Sequence, residues 1–187
     1  MAMLRSEDIK LMGFSSVGES VQISDRASFY GIAKISLGSN VRIDDFCVLS
    51  AGEGGIFVRD HVHISVGASL IGAGKITLSD FVCVSSRVAI YSSNDDYSGA
   101  AMTGPTLPAE FTNVQHSDVF LGNHVIVGSG CVILPGVTLE DGVAVGALSL
   151  VKSSCQAFGI YAGNPARRVK ERRHDLLALE RHFRSTR

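Results

Sequence analysis

Read in steps of six, the chain from Leu121 onward stays in register without a gap: LGNHVI, VGSGCV, ILPGVT, LEDGVA, VGALSL, VKSSCQ. The first position is always aliphatic (Leu121, Val127, Ile133, Leu139, Val145, Val151), and the fifth is always small or β-branched (Val125, Cys131, Val137, Val143, Ser149, Cys155). Gly122, Gly128 and Gly146 take the second position. An amphipathic helix needs apolar residues at alternating steps of three and four, and this spacing does not supply them. A period of six fits a short strand and a turn with positions one and five pointing inward. Three sixes then close one triangular coil, and successive coils stack at the strand spacing of about 4.8 Å. The same sixes run upstream as VGESVQ, ISDRAS and FYGIAK, then, after a shift of two residues, as LGSNVR and IDDFCV, and later as VRDHVH, ISVGAS, LSDFVC and VSSRVA. The extra residues fall within 51–57 and 72–77, at glycine-rich points where a corner can bulge and leave its neighbours in phase.

Three pieces lie outside the repeat. Residues 92–118 (SSNDDYSGAAMTGPTLPAEFTNVQHSD) hold two of the four prolines and clusters of Ser, Asn, Asp and Gly. They predict a long loop projecting from a regular scaffold, the kind of segment that carries function. Residues 1–16 predict a short helix capping the first coil, which an open-ended stack of strands requires. Residues 166–187, beginning ARRVKERRHDLLALERHF, predict a C-terminal helix that starts after the YAGNP turn. The expected organisation is therefore a single all-β solenoid over 17–165, with the loop at 92–118 and caps at both ends.

Composition narrows the functions. Of 187 residues 45% are hydrophobic, with 20 Gly and no Trp, which suits tight corners and aliphatic packing. A net charge of −1 provides no basic field for a nucleic-acid backbone. No apolar stretch is long enough to span a membrane, and Glu7, Asp8 and Lys10 interrupt what would have to be a signal core, so the sequence reads as cytoplasmic. Four scattered cysteines without a CxxC pair read as reduced thiols, with Cys47, Cys131 and Cys155 at inward fifth positions as core fillers.

The repeat, together with the closing segment VAVGALSLVKSSCQAFGIYAGNPARRVKER, resembles the hexapeptide-repeat acyltransferase superfamily, over about residues 17–170. The resemblance implies a left-handed parallel β-helix, a homotrimer, and acetyl-CoA as acyl donor. It also implies a sugar as acceptor, in the biosynthesis of surface polysaccharides. In such relatives the cofactor lies in the groove between neighbouring prisms, its arm along small corner residues; Gly128, Ser129, Gly146 and Ala147 match these. The turn Gly163, Asn164, Pro165, Ala166 matches the family's adenine-side turn, and Lys152, Arg167 and Arg168 are placed to meet phosphates.

In relatives that acetylate sugar hydroxyls, the loop opens with a histidine acting as general base. Here that place falls to Asp95, beside Asn94 and Asp96. A carboxylate is a weak base for a hydroxyl but can orient an amine, which is partly deprotonated near neutral pH. The departure therefore points to the amino group of a nucleotide-linked sugar, held by Asp95 and Asn94. The alternatives are a hydroxyl acceptor with His116 as base, an Asx turn over 94–96 without catalytic meaning, and a silent scaffold. One branch of the fold resembles zinc carbonic anhydrases, which need three converging imidazoles. The candidates His61 or His63, His116 and His124 do not reproduce that branch's spacing, and no metal is expected. His61 and His63 read as surface residues, and His124 as an outward corner residue.

Overall fold

The computed structural model describes residues 2–186, and in it the sixes become the three faces of a parallel β-solenoid. The first face stacks Ser16–Val17, Ile35–Leu37, Ile56–Val58, Ile76–Leu78, Val119–Leu121 and Thr138–Leu139. The second stacks Gln22–Ile23, Arg42–Ile43, His63–Ile64, Cys83–Val84, Ile126–Val127, Ala144–Val145 and Gly159–Ala162, closed by Arg167–Glu171. The third stacks Ser28–Tyr30, Val48–Ala51, Ser69–Gly72, Ala89–Tyr91, Val132–Ile133 and Leu150–Val151. Each coil visits the faces in that order. The corner between first and second faces is called edge I, that between second and third edge II, and that between third and first edge III.

The register explains the sixfold code. Leu37, Val58, Leu78, Leu121 and Leu139 are successive partners and form one inward column, none more than 2% exposed. Burying one such side chain is worth about 1.5–3 kcal/mol, so the columns carry the fold without aromatic packing. Fifth positions fill the corners: the Cys47 thiol donates to Ser65 O at 3.1 Å, and that of Cys131 to Gly146 O at 3.0 Å.

The ends of the stack are covered. Helix α1 (Ser6–Leu11) lays the buried Ile9 against the first coil. At the other end Arg167–Glu171 pairs antiparallel with Gly159–Ala162, with a bulge between Ile160 and Tyr161, and the second helix, α2, occupies Asp175–Ser185. The sequence reading started the C-terminal helix at 166. The unpaired backbone of the last coil instead draws RRVKE into a strand, because an exposed edge offers hydrogen bonds that an isolated helical turn of that sequence cannot match.

Helix α2 docks on edge I through groups that the sequence reading left on the surface. His61, Phe81 and His124 share the left-handed corner conformation (φ 58°, 60°, 59°), so their rings stack in one pile with centroids 4.9 Å apart and planes 4° from parallel. Phe183 meets His61 and Phe81 edge-on, and His124 Nε2 lies 2.6 Å from Glu180 Oε2. Arg184 donates to Glu180 and Asp80, while Arg172 Nη1 donates to the carbonyls of His124 and Gly142. The hydrogen bond from His124 holds the Glu180 carboxyl below its ordinary range against the opposing effect of burial, with Arg184 assisting. A depressed carboxyl pKa stabilises docking fully above the unfolded value of about 4.3 and loses that contribution as pH falls through the depressed value. Hydrogen exchange should therefore show α2 losing protection under acid before the solenoid does, and Glu180→Gln should remove this pH dependence. An α2 that stays as protected as the core strands down to acid unfolding would contradict this coupling.

Candidate active site

The loop leaves the third face at edge III and returns to the first face, pinned at its base. Ser92 is buried and donates to Gly74 O at 2.7 Å, and Asp118 accepts from Lys75 N at 2.8 Å. Ser93–Asn94 pairs antiparallel with Gln115–His116, Ser93 opposite His116 and Asn94 opposite Gln115. Asn94, Asp95 and His116 thus stand together at the mouth of the loop, all exposed.

Their roles separate. The Ser93 hydroxyl oxygen accepts from Ala73 N at 2.7 Å and lies 2.8 Å from His116 Nδ1. The hydroxyl and Nδ1 hold each other, so the His116 ring is tied to the base of the loop. Asp96 turns back to accept from Ser98 N at 2.8 Å, and the Ser98 hydrogen bonds hold its carboxyl below the ordinary range. The Asx turn considered for 94–96 therefore belongs to Asp96. Asp95 makes no hydrogen bond among the described residues and presents an open carboxylate.

The small corner residues assemble on a different edge. Gly128 and Ser129, then Gly146 and Ala147, then Gly163–Ala166 follow one another up edge II through the last coils. The last turn is tied to the coil beneath it: Gly163 N donates to Ser149 Oγ at 3.0 Å and Ala166 N to Leu150 O at 2.8 Å, with a cis Asn164–Pro165 peptide between them. At Gly128 the reason for glycine differs from the one inferred from sequence. A Cβ there would lie 2.5 Å from Ala147 N, so the stacking of the next coil already forbids a side chain, ligand or no ligand. Ser129, Ala147, Gly163 and Asn164 are the exposed members that a ligand could approach.

The cations divide between edges. Arg167 and Arg168 lie on the closing strand next to edge II, Arg168 paired with Glu171, whereas exposed Lys152 follows the third face at edge III. Within one chain the loop residues and the small-residue edge are therefore held apart by the width of the third face. That separation was not visible in the sequence.

None of the four cysteines is set up as a nucleophile. Burial pushes every thiol up, Cys155 to about 11, and deprotonation is what reactivity requires. Among the described residues no three His, Cys, Asp or Glu side chains converge as metal ligands, and His116 on edge III is remote from His61 and His124 on edge I. Among the described residues no helix is long and apolar enough to cross a membrane.

No protein-family model matches the chain. It is 56% identical over 183 residues to a dTDP-4-amino-4,6-dideoxy-D-glucose acyltransferase of Escherichia coli, covering 98% of this chain and 95% of that one. Its fold superposes with TM-score 0.95 on a serine-to-cysteine variant of AntD, an N-acyltransferase from Bacillus cereus, in complex with dTDP-4-amino-4,6-dideoxyglucose and coenzyme A. There the identity is 41%, with 99% of this chain and 98% of AntD covered. A second AntD structure, in complex with dTDP and 3-hydroxybutyryl-CoA, gives TM-score 0.94 at 42% identity, with 98% and 97% covered.

Proposed function

The chain belongs to the hexapeptide-repeat sugar acyltransferases, and we propose that it acetylates the 4-amino group of dTDP-4-amino-4,6-dideoxyglucose at sites shared between the chains of a homotrimer. It is an acetyl-CoA-dependent N-acetyltransferase of a nucleotide-linked amino sugar. The observation that carries the assignment of roles is the open carboxylate of Asp95 at the loop mouth, beside a histidine whose Nδ1 is already engaged. The amine nitrogen attacks the thioester carbon, the C–N bond forms, and the C–S bond breaks. The proton lost from nitrogen ends on the departing thiolate, whose conjugate acid has a pKa of about 8.5. Asp95 and Asn94 accept hydrogen bonds from the amine and hold it in line. With every thiol pushed up, transfer proceeds directly and not through an acyl-cysteine.

The third face supports the trimer. Its outward positions carry Tyr30, Val48, Ile71, Ala89, Tyr91, Val132, Leu134 and Leu150, and edge II adds Leu148, 78% exposed. The loop exposes Tyr97, Met102 and Phe111, with Tyr97 at 87%. Apolar surface on this scale marks an interface. Turning three such faces toward a common axis brings edge II of one chain against edge III of the next, so the loop of one overhangs the small-residue edge and second face of its neighbour. Acetyl-CoA then runs down edge II past Gly163–Ala166, Ala147 and Ser129, with Arg167, Arg168 and the neighbour's Lys152 as phosphate donors. The unpaired cysteines agree with a reducing compartment, and we place the reaction in the cytoplasm, supplying acetylated sugar for surface polysaccharide.

Thiol release from acetyl-CoA tests the acceptor. Turnover is expected with the 4-amino sugar nucleotide and not with its 4-hydroxyl counterpart. Turnover with the hydroxyl compound alone would reassign the chemistry.

A further inference from the structure

The first face carries an outward feature that the acetyl transfer itself does not use. Its outer column runs Ser36, Phe57, Thr77, Phe120 and Thr138 through successive strands, and only the two phenylalanines break a row of small hydroxyl residues. Phe57 and Phe120 are 39% and 41% exposed, and among the described residues neither ring stacks on another ring. Thr77 stands between them, its hydroxyl bonded to no other described residue. The two rings therefore rise from strands two spacings apart, about 9.6 Å. They wall an open groove of about 850 Å³, with Lys75 at its edge III end and Arg59 at its edge I end. Small-molecule sites run to about 300–1,000 Å³, so the groove has the size of a nucleotide site.

We propose that this groove binds the nucleoside diphosphate half of the acceptor, with the thymine between Phe57 and Phe120 and the diphosphate on Lys75. The inference rests on the reading of that acceptor as a sugar nucleotide. A planar base standing midway lies about 4.8 Å from each ring, inside the roughly 4.5–7 Å over which aromatic rings attract. Thr77 beneath it can donate to a base carbonyl or accept from the ring N–H. Charge sets the direction of the chain of groups. At the edge I end Arg59 shares the groove with the carboxylates of Asp60 and Asp80, which offset its charge. At the edge III end the exposed Lys75 side chain has no ion-pair partner among the described residues, and its ammonium is open to a phosphate. Lys75 also adjoins the loop base: its N–H donates to Asp118, while Ala73 and Gly74 hold Ser93 and Ser92. From Thr77 to Lys75 is two residues of strand, about 6.6 Å, which the ribose spans. From Lys75 the hexose crosses the loop base to Asp95, two residues beyond Ser93. Base, ribose, diphosphate and hexose thus follow one line from the first face to the loop mouth. The third face closes the trimer and leaves this first face open. Coenzyme A is also a nucleoside diphosphate, but its edge lies across the third face and climbs toward Gly163–Ala166.

Calorimetry with dTDP and, separately, with coenzyme A distinguishes the two sources, using the whole protein with Phe57→Ala, Phe120→Ala and Lys75→Gln. Stacking of a base on one aromatic ring is worth about 10-fold in affinity, and so is a charged hydrogen bond to phosphate. The dTDP dissociation constant should rise about 10-fold in each variant. Thymidine without its phosphates should lose affinity in the two phenylalanine variants and keep it in Lys75→Gln. KM for the sugar nucleotide should rise in step with the dTDP constant, with kcat moving much less. Coenzyme A affinity should be unchanged, which also shows that the variants are folded. Wild-type turnover of the amino sugar nucleotide together with undiminished dTDP affinity in all three variants would overturn the groove assignment alone. A loss of coenzyme A affinity in place of dTDP affinity would overturn it too, giving the groove to the donor. A wild-type protein without turnover on any sugar nucleotide would overturn the functional reading and the groove assignment with it.

Discussion

Val132→Asp is expected to leave monomers of 19.8 kDa with turnover reduced by more than about 10³-fold. Val132 sits between Ala89 and Leu150 on the outer side of the third face, with Ile133 beside it filling the core. In an isolated chain the new carboxylate meets water and the solenoid keeps its packing. In a trimer closed on this face it would be buried without a partner in each of three copies, which costs several kcal/mol per copy and exceeds what the interface can absorb. The released chain retains the loop on edge III and the small-residue edge II, but no longer brings the two together. What is lost is the positioning of amine against thioester, the greatest rate advantage open to an acyl transfer between two bound substrates. Light scattering combined with the thiol-release assay checks both parts. A trimeric variant with wild-type turnover would show that the third face is not the interface.

Asp95→Asn should lower kcat by about 10-fold to 100-fold at unchanged KM for acetyl-CoA. The loss is bounded because the amine needs orientation more than deprotonation, and the thiolate can take the proton. The rate should rise with pH along a single limb that follows the pKa of the substrate amine. His116→Ala should cost less than about 10-fold, since that ring serves the loop base through Ser93. A fall of roughly 10⁴-fold in His116→Ala, with Asp95→Asn and the double variant Asn94→Ala, Asp95→Ala fully active, would transfer the role to His116 and the acceptor to a hydroxyl.

The solenoid was legible because its code is local: inward positions one and five recur every six residues, and no distant contact alters them. The same alignment held two further signals. Asn40, His61, Phe81 and His124 all occupy position four, where the corner turns left-handed, so rings at that position in successive coils must stack. Arg42, His63 and Cys83 all occupy position six on one outward column. Reading down the columns as well as along the sixes would have found both the docking site of α2 and the neighbouring Arg42 and His63 that meet on the Asp44 carboxylate. The strand at Arg167–Glu171 was beyond reach, since Val169 is its one aliphatic residue and its partner exists only once the last coil has formed. The distance between Asp95 and the small-residue edge was likewise hidden, because it depends on which face separates edges II and III.

Mixed trimers decide whether each site is built from two chains. Asp95→Ala removes the loop carboxylate, and Ala147→Arg blocks the exposed corner on edge II; each protein alone should be nearly inactive. After co-refolding at equal amounts, a site that takes its loop from one chain and its edge from the next is intact in about a quarter of cases, so the mixture should recover about a quarter of wild-type turnover. A mixture that stays as inactive as its parents, although light scattering and mass spectrometry show that mixed trimers have formed, would place loop and edge of each site in the same chain and contradict the shared site.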